Sequence, residues 1–358
     1  MLRKVRAVQI GYGKMGRCIV TDMVESGADV IGIFDRNPDI IGTQVSLSSH
    51  VSLTVEPIDL LEQQLKALRP DIAIVATQSL MRDVREILLT CARNGVNVVT
   101  TCDEALYPWT SSPAITKEID TVARAHACTI SSSGFPDLAY CSMIAATCGA
   151  AHKIQKITGR ASYNVDDYGI ALAEHHGAGL TLEQFNKTIG SKNDLSEQEV
   201  NLLINQSKFT AIPMWNTNCW LCAKLGLTLI HHRQVNLPIL AKQDMYSSTL
   251  NRTLHTGDVI GMSARAIAQT EEGITLETES IGKVYLPGEQ DTNDWVIYGE
   301  PNIAVSNRDI NNEGMICALI VSRIVDVLNG PYGFITSDHF PPATFLSKPL
   351  HHYITQID

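Results

Sequence analysis

The chain opens on an apolar strand, Val5-Arg6-Ala7-Val8-Gln9-Ile10, that runs without a break into Gly11-Tyr12-Gly13-Lys14-Met15-Gly16. A helix-forming stretch follows, and a second apolar strand from Val30 to Phe34 ends on Asp35. G-x-G-x-x-G alone is a weak signal. Between a strand and a helix, with an acid at the next strand end, it constrains this part to a βαβ unit and points to dinucleotide binding, a glycine-rich turn without nucleotide being the alternative. Gly11 makes the tight turn, Gly13 lets the backbone approach a pyrophosphate, and Gly16 lets the helix lie close on the strand. The free N–H groups of the helix start, at Lys14 and Met15, face the anion. Asp35 would accept hydrogen bonds from the adenosine ribose. Its charge favours NAD(H), and Arg36 beside it could pair with a 2′-phosphate, which leaves NADP(H) open.

The next residues repeat the alternation. Helices are expected over 15–26 (closed by Gly27), 60–68 and 81–93, and from Pro113, capped by Ser112, to about Ala127. Between them lie buried strands at Ile72–Ala76, Val96–Thr100 and from Thr129. The polar stretch from Asn37 to Pro57 reads as loop with a short edge element. This is an α/β chain with a Rossmann doubly wound parallel sheet.

Past about residue 150 the pattern changes. Ile154–Asn164, Val259–Gln269, Ile274–Leu286 and Val296–Val305 alternate apolar and polar residues, as a largely antiparallel sheet does. Helices are expected near 181–188, 196–206 and 215–225, and an apolar helix over Gly314–Leu328 returns to the first domain. The expected division is therefore 1–150 with 311–345 for the dinucleotide, and 151–310 for substrate and dimerisation. A length of 358 residues suits two such domains. The net charge of −10 comes without a basic block, which argues against nucleic-acid or anionic-membrane surfaces. No apolar run reaches the ~20 residues of a spanning helix. Nine scattered cysteines read as reduced thiols of a cytoplasmic protein.

Ligands of an open α/β sheet lie beyond the carboxyl ends of its strands, where strand order reverses. That rule selects Thr77-Gln78-Ser79, Thr101-Cys102-Asp103-Glu104 and Ser133-Gly134-Phe135. Glu104 is the chemical candidate. The apolar and aromatic run Ala105 to Trp109 behind it would desolvate a carboxyl and raise its pKa toward proton transfer. A solvated loop acid or a helix cap is the alternative, and Asp103 carries the same two readings. Cys219-Trp220-Leu221-Cys222 has redox-like spacing but sits inside an aromatic helical stretch. The three His-His pairs lack a completing Cys or acid at ligand spacing, so no metal is expected.

Several long strings are more specific than the glycine motif: Thr100-Thr101-Cys102-Asp103-Glu104-Ala105 with Tyr107-Pro108-Trp109, Ser162 through Gly169, His176 through Thr181, Met214-Trp215-Asn216, Trp220-Leu221-Cys222, and Tyr246 through Asn251. With them the chain resembles, nearly end to end, the native amine dehydrogenases and the related 2,4-diaminopentanoate dehydrogenases. The resemblance implies a dihydrodipicolinate-reductase-like architecture, a nicotinamide cofactor, a homodimer, and reversible reductive amination of a carbonyl with ammonia. It also implies Glu104 as catalytic acid/base, and a pocket near Phe135, Tyr140, Tyr168, Leu172 and His176. By position and likeness, Thr77 and Gln78 approach the ribose or pyrophosphate, Thr101 and Cys102 the nicotinamide, and Asn312 the carboxamide. The pocket segments hold no obvious cation for a substrate carboxylate. Phe135-Pro136-Asp137 also replaces the Asn-Pro-Gly common in diaminopentanoate dehydrogenases. Both features favour a small neutral ketone or aldehyde. A diamino-acid dehydrogenase, an imine reductase on the same scaffold and a non-catalytic NAD(H) sensor remain the alternatives.

Overall fold

The computed structural model describes residues 3–49, 51–190 and 195–355. They form two compact units, one from the start to Leu138 together with the segment from Asn311 onward, the other Ala139–Ile310.

The first unit contains strands β1 (Arg6–Ile10), β2 (Asp29–Asp35), β3 (Gln44–Ser46), β4 (Ser52–Pro57), β5 (Ile72–Val75), β6 (Asn97–Thr100) and β7 (Thr129–Ser132), with a final short strand Gly333–Phe334. Its sheet runs Gly333–Phe334, β7, β6, β5, β1, β2, β4, β3. All neighbours are parallel except the β3–β4 edge pair. The expected loop between Asn37 and Pro57 thus holds two strands, one of them a full parallel member of the sheet. Its polar, unpatterned sequence reflects a position at the sheet margin. After β2 and β4 the chain crosses to the other side of β1, so order reverses between β1 and β5.

Helices α1 (Lys14–Glu25), α2 (Leu61–Leu68), α3 (Met81–Arg93) and α4 (Pro113–Ala125) alternate with these strands. The apolar face of α1 and the returning helix Asn312–Asn329 cover one side of the sheet through Ile19, Met23, Cys317, Ile320 and Ile324. Leu65, Leu88 and Ile119 of α2, α3 and α4 cover the other. The tail beyond residue 345 also belongs here, because Leu350 and Ile354 join the first of these cores. Among the described residues no helix is long and apolar enough to cross a membrane.

The second unit carries helices α5 (Met143–Cys148), α6 (Ile170–His175), α7 (Leu182–Thr188), α8 (Glu197–Asn205) and α9 (Pro213–Leu225). Its strands are β8 (Lys153–Asn164), β9 (Leu229–Leu240), β10 (Met245–Ser247), β11 (Arg252–Leu254), β12 (Val259–Thr270), β13 (Thr275–Lys283), β14 (Thr292–Glu300) and β15 (Ile303–Asn307). Six of them form a sheet in the order β15, β14, β8, β13, β12, β9, antiparallel except for β13 beside β8. The pattern read as one strand over Val296–Val305 is the β14–β15 hairpin. The chain leaves the first unit at Leu138 rather than near 150, because α5 packs against α9.

Candidate active site

Ile10 pairs with Val75 and Val75 with Thr100, so the carboxyl ends of β1, β5 and β6 lie side by side. Gly11 has φ +90° there, and a Cβ on it would sit 2.2 Å from the Ala76 carbonyl oxygen. A Cβ on Gly16 would meet the Gly11 carbonyl oxygen at 2.0 Å. Gly13 differs. Its φ is an ordinary −71°, and a Cβ would meet no protein atom within 4 Å. The fold itself does not require glycine at 13; a ligand brought against the backbone does. Helix α1 has no side-chain cap and no acid in its first turn, which leaves its first amides to an anion. Asp35 accepts the Tyr12 amide at 2.5 Å and the Asn37 amide at 2.8 Å, so it ties β2 to the glycine loop. A carboxylate with two such bonds keeps lone pairs for hydroxyl groups. Thr77 Oγ1 is buried with no hydrogen-bond partner in the protein. These features together fit a dinucleotide.

The remaining cofactor candidates separate. Lys14 pairs with Glu313 at 2.6 Å, and Met15 packs on the core. Arg36 and Gln78 are exposed and Thr101 is half-buried on the same sheet edge. Asn312 opens the returning helix, but the cap is Asn311, whose Oδ1 accepts the Gly314 amide at 3.0 Å. Cys102 departs from expectation. Its side chain is 0% exposed in the core beside Ile115 and Ile130, and burial pushes its thiol far up. Only its backbone lies on the ligand edge.

Glu104 sits on a one-turn 3₁₀ helix, Asp103–Leu106, just past β6. It is 2% exposed, and the expected aromatic surroundings are replaced by a polar cradle. Oε1 accepts the Ser111 and Ser112 hydroxyls at 2.7 and 2.6 Å, and Oε2 accepts the Met81 amide at 2.7 Å. Met81 is the first residue of α3, whose own N-cap position is Leu80, so Glu104 caps that helix from outside it. Ser112 accordingly does not cap α4, because its hydroxyl is turned to Glu104. Asp103, one residue earlier, is exposed. Protein nevertheless crowds it, and the loss of hydration holds its carboxyl above the usual range against an opposing hydrogen bond from Ser79.

Of the expected pocket residues, Tyr168 and His176 flank one ring. Tyr163 stands edge-on to Tyr168 at 5.9 Å and to His176 at 5.6 Å between centroids. His176 Nδ1 lies 2.8 Å from the Leu172 carbonyl, so that nitrogen carries the hydrogen and Nε2 accepts the Tyr163 hydroxyl at 2.7 Å. Burial lowers the His176 pKa to about 4, so its ring is neutral at pH 7. Tyr140 instead packs on Trp295, centroids 5.9 Å apart, as a core side chain. Phe135 is buried in the first unit. Two residues on, Asp137 binds Arg323 at 2.7 Å, both side chains 1% exposed. Arg323 also holds Asp326 and the Pro341 carbonyl, which leaves it committed to the fold. A separate cavity of about 820 Å³ in the second unit is lined by Asn164, Asp167, Tyr246, Tyr285 and Asp291, among others, and by none of the expected pocket residues.

All nine cysteines are free thiols, eight of them buried. Cys219 and Cys222 lie inside α9, and burial pushes the Cys222 thiol to about 12, which fits no redox pair. Cys18, Asp22 and Cys317 bring their side-chain ligand atoms within 4.8 Å of one another between α1 and the returning helix, a grouping that spacing along the chain did not reveal.

The family profile of the 2,4-diaminopentanoate dehydrogenase C-terminal domain matches residues 139–355. The 2,4-diaminopentanoate dehydrogenase of Acetoanaerobium sticklandii is 24% identical over 195 residues, 52% of this chain and 54% of that protein. The chain thus aligns with about half the length of that curated relative. The structure of an amine dehydrogenase from Mycobacterium smegmatis superposes with a TM-score of 0.84 at 34% identity, over 97% of this chain and 98% of that one. A probable dehydrogenase from Thermotoga maritima shares the fold at 11% identity, with a TM-score of 0.56 over 98% of this chain and 92% of its own. The chain belongs to the family of the 2,4-diaminopentanoate dehydrogenases and amine dehydrogenases, oxidoreductases built on a dinucleotide-binding fold.

Proposed function

We propose that the protein is an NAD(P)H-dependent amine dehydrogenase that converts a small ketone or aldehyde and ammonia reversibly into a primary amine. The observation that carries this reading is the Asp103–Glu104 acidic turn at the carboxyl edge of the sheet, beside the glycine loop, in a chain 34% identical to an amine dehydrogenase over 97% of its length. The Gly11–Gly16 loop and the first amides of α1 hold the pyrophosphate, Asp35 the ribose, and Thr77 a neighbouring oxygen. When bound, the nicotinamide supplies the hydride that reduces the iminium carbon. The protein supplies placement, exclusion of water and proton transfer. The acidic turn, where the sequence designates Glu104, takes a proton from ammonium and returns it when water leaves. Such positioned transfer contributes about a hundred- to ten-thousandfold.

A neutral carbonyl is the favoured substrate, since Arg323 is bound by Asp137 and Asp326 and does not await a carboxylate. Asp35 supports NADH, and exposed Arg36 leaves NADPH accessible. The polar face of the second sheet, with Leu237 and Tyr298 exposed among ion pairs such as Lys156–Glu277 and Arg265–Glu279, suits a second copy in a homodimer. Nine free thiols suit the reducing cytoplasm. The test is NADH consumption against a panel of ketones and aldehydes, with and without ammonium. Oxidation that needs ammonium and yields the amine is expected; oxidation indifferent to ammonium, or none with any carbonyl, refutes the reading.

A further inference from the structure

We infer that Cys18, Asp22 and Cys317 form a binding site for a thiophilic divalent cation of the zinc class, which clamps α1 to the returning helix Asn312–Asn329. The site does not depend on the amination reading above.

The two helices run side by side in one direction, and their contact is layered. Lys14 of α1 pairs with Glu313 of the returning helix at 2.6 Å. Four residues further along each, Cys18 stands beside Cys317, and Asp22 follows at the next turn of α1. Residues four apart share a helix face, so α1 offers a thiol and a carboxyl where the other helix offers a thiol. The three donor atoms all lie within 4.8 Å of one another. Tetrahedral zinc, with bonds of about 2.3 Å to sulfur and 2.0–2.2 Å to oxygen, holds such donors roughly 3.6–3.8 Å apart. The remaining gap, about 1 Å at most, is within the reach of side-chain torsions.

Cys317 is fully buried, whereas Cys18 and Asp22 are half-buried, so an ion can arrive from solvent and still be sheltered on the core side. Three protein donors leave the fourth position to water. Cys317 Sγ otherwise reaches only the Met15 carbonyl, at 3.9 Å, a long contact that a metal bond replaces at little cost. Charge argues the same way. Burial first, then the neighbouring Cys18, Asp22 and Glu313, push the Cys317 thiol far up. Burial and the charge of Glu25 raise the Asp22 carboxyl. A cluster that gathers three acidic groups and resists their ionisation is short of positive charge, which a divalent cation supplies. On binding, zinc displaces the two thiol protons to solvent and is held by two thiolates and the carboxylate. Nothing is oxidised or reduced.

The experiment titrates the full, reduced, metal-free chain with Zn²⁺ by calorimetry and with Co²⁺ by absorption, and follows Tm. The wild type is expected to bind one zinc per chain, to show thiolate-to-cobalt charge transfer with tetrahedral d–d bands, and to gain Tm with zinc concentration. Cys18→Ser and Cys317→Ser are each expected to lose about a hundredfold or more in zinc affinity and to weaken the charge-transfer band. Asp22→Asn is expected to keep that band and lose about tenfold. Should Cys317→Ser fail to fold, the half-buried positions decide through Cys18→Ser and Asp22→Asn. Wild-type protein that binds no zinc overturns the site. So does undiminished affinity or an unchanged band in Cys18→Ser, which would place the ion on other thiols. The readout is metal binding, so a protein that aminates no carbonyl defeats the amination reading and leaves this test intact.

Discussion

The two units bury polar groups in different ways. In the first, buried carboxyls near the strand ends are answered by charge, hydroxyls or helix amides: Glu104 by Ser111, Ser112 and the α3 terminus, and Asp137 by Arg323. In the second the buried polar side chains are neutral and answer one another on and beside the sheet. His176 meets Tyr163, Asn218 accepts the Thr278 hydroxyl at 2.9 Å, and the Trp295 indole donates to Asn293 at 2.6 Å. Helix N-termini crowd the carboxyl edge of a parallel sheet and make anions tolerable there. A sheet of mainly antiparallel strands, with its small net dipole, offers no such field. Proton-handling acids therefore suit the first unit, and shape and hydrogen-bond recognition suit the second.

The largest test of this contrast is Asp137→Ala. It strands Arg323 at 1% exposure with only Asp326 and a carbonyl as partners, and loss of one member of a buried pair costs roughly 3–5 kcal/mol. Urea denaturation of the variant is expected to show a loss of that size. A loss under 1 kcal/mol would mean that the charges of the first unit are far better hydrated than their burial indicates.

A smaller effect separates the units by pH. His176 is held at about 4 and His232, half-buried and stacked on Trp215, at about 3, against an ordinary 6.5. The unfolded rings take up protons below pH 6.5 while the folded ones stay neutral. Stability is thus unaffected above 6.5 and falls as pH drops toward 4, by up to roughly 3 kcal/mol for His176 alone. Denaturation at pH 7 and 4.5 should show the fall, and His176→Gln should make it shallower. An unchanged slope in that variant would place the acid sensitivity elsewhere.

What was readable from sequence follows the same divide. The glycine loop was legible because steric contact enforces it: Gly11 and Gly16 cannot carry a Cβ, and their spacing is fixed by one turn and one helix contact. The place of Glu104 was legible from the strand before it. Its surroundings were not, because Ser111 and Ser112 come back to it only through the tertiary course of the chain, and Ser112 before Pro113 carries the ordinary signature of a helix cap. In the second unit, β9 was missed because His231-His232-Arg233-Gln234 interrupts apolar alternation, although His232 stacks on Trp215 at 3.8 Å and Gln234 bonds the Ile212 amide. Tyr140 was placed in the pocket by likeness, and nothing local in the sequence announces Trp295 as its neighbour.

The smallest predicted effect is the sharpest on the second unit. Tyr163→Phe removes one hydroxyl and leaves His176 Nε2 a buried acceptor without a donor. Its other nitrogen is committed to the Leu172 carbonyl, so the ring cannot flip to recover a bond without losing one. Packing also bars a replacement. A Cβ on Gly282 would lie 2.3 Å from His176 Cδ2 and 3.0 Å from the Tyr163 ring, which shows how closely strand β13 approaches both. An unmet buried acceptor costs about 1–3 kcal/mol, and with the edge-on ring contact retained the lower end, roughly 1 kcal/mol, is expected by urea denaturation. Tyr168→Phe, at a ring 38% exposed, serves as the comparison in which a smaller loss is expected. A Tyr163→Phe variant as stable as wild type would show that His176 finds water or a second tautomer. Neutral recognition in the second unit would then be as adaptable as the charged cradle of the first is fixed.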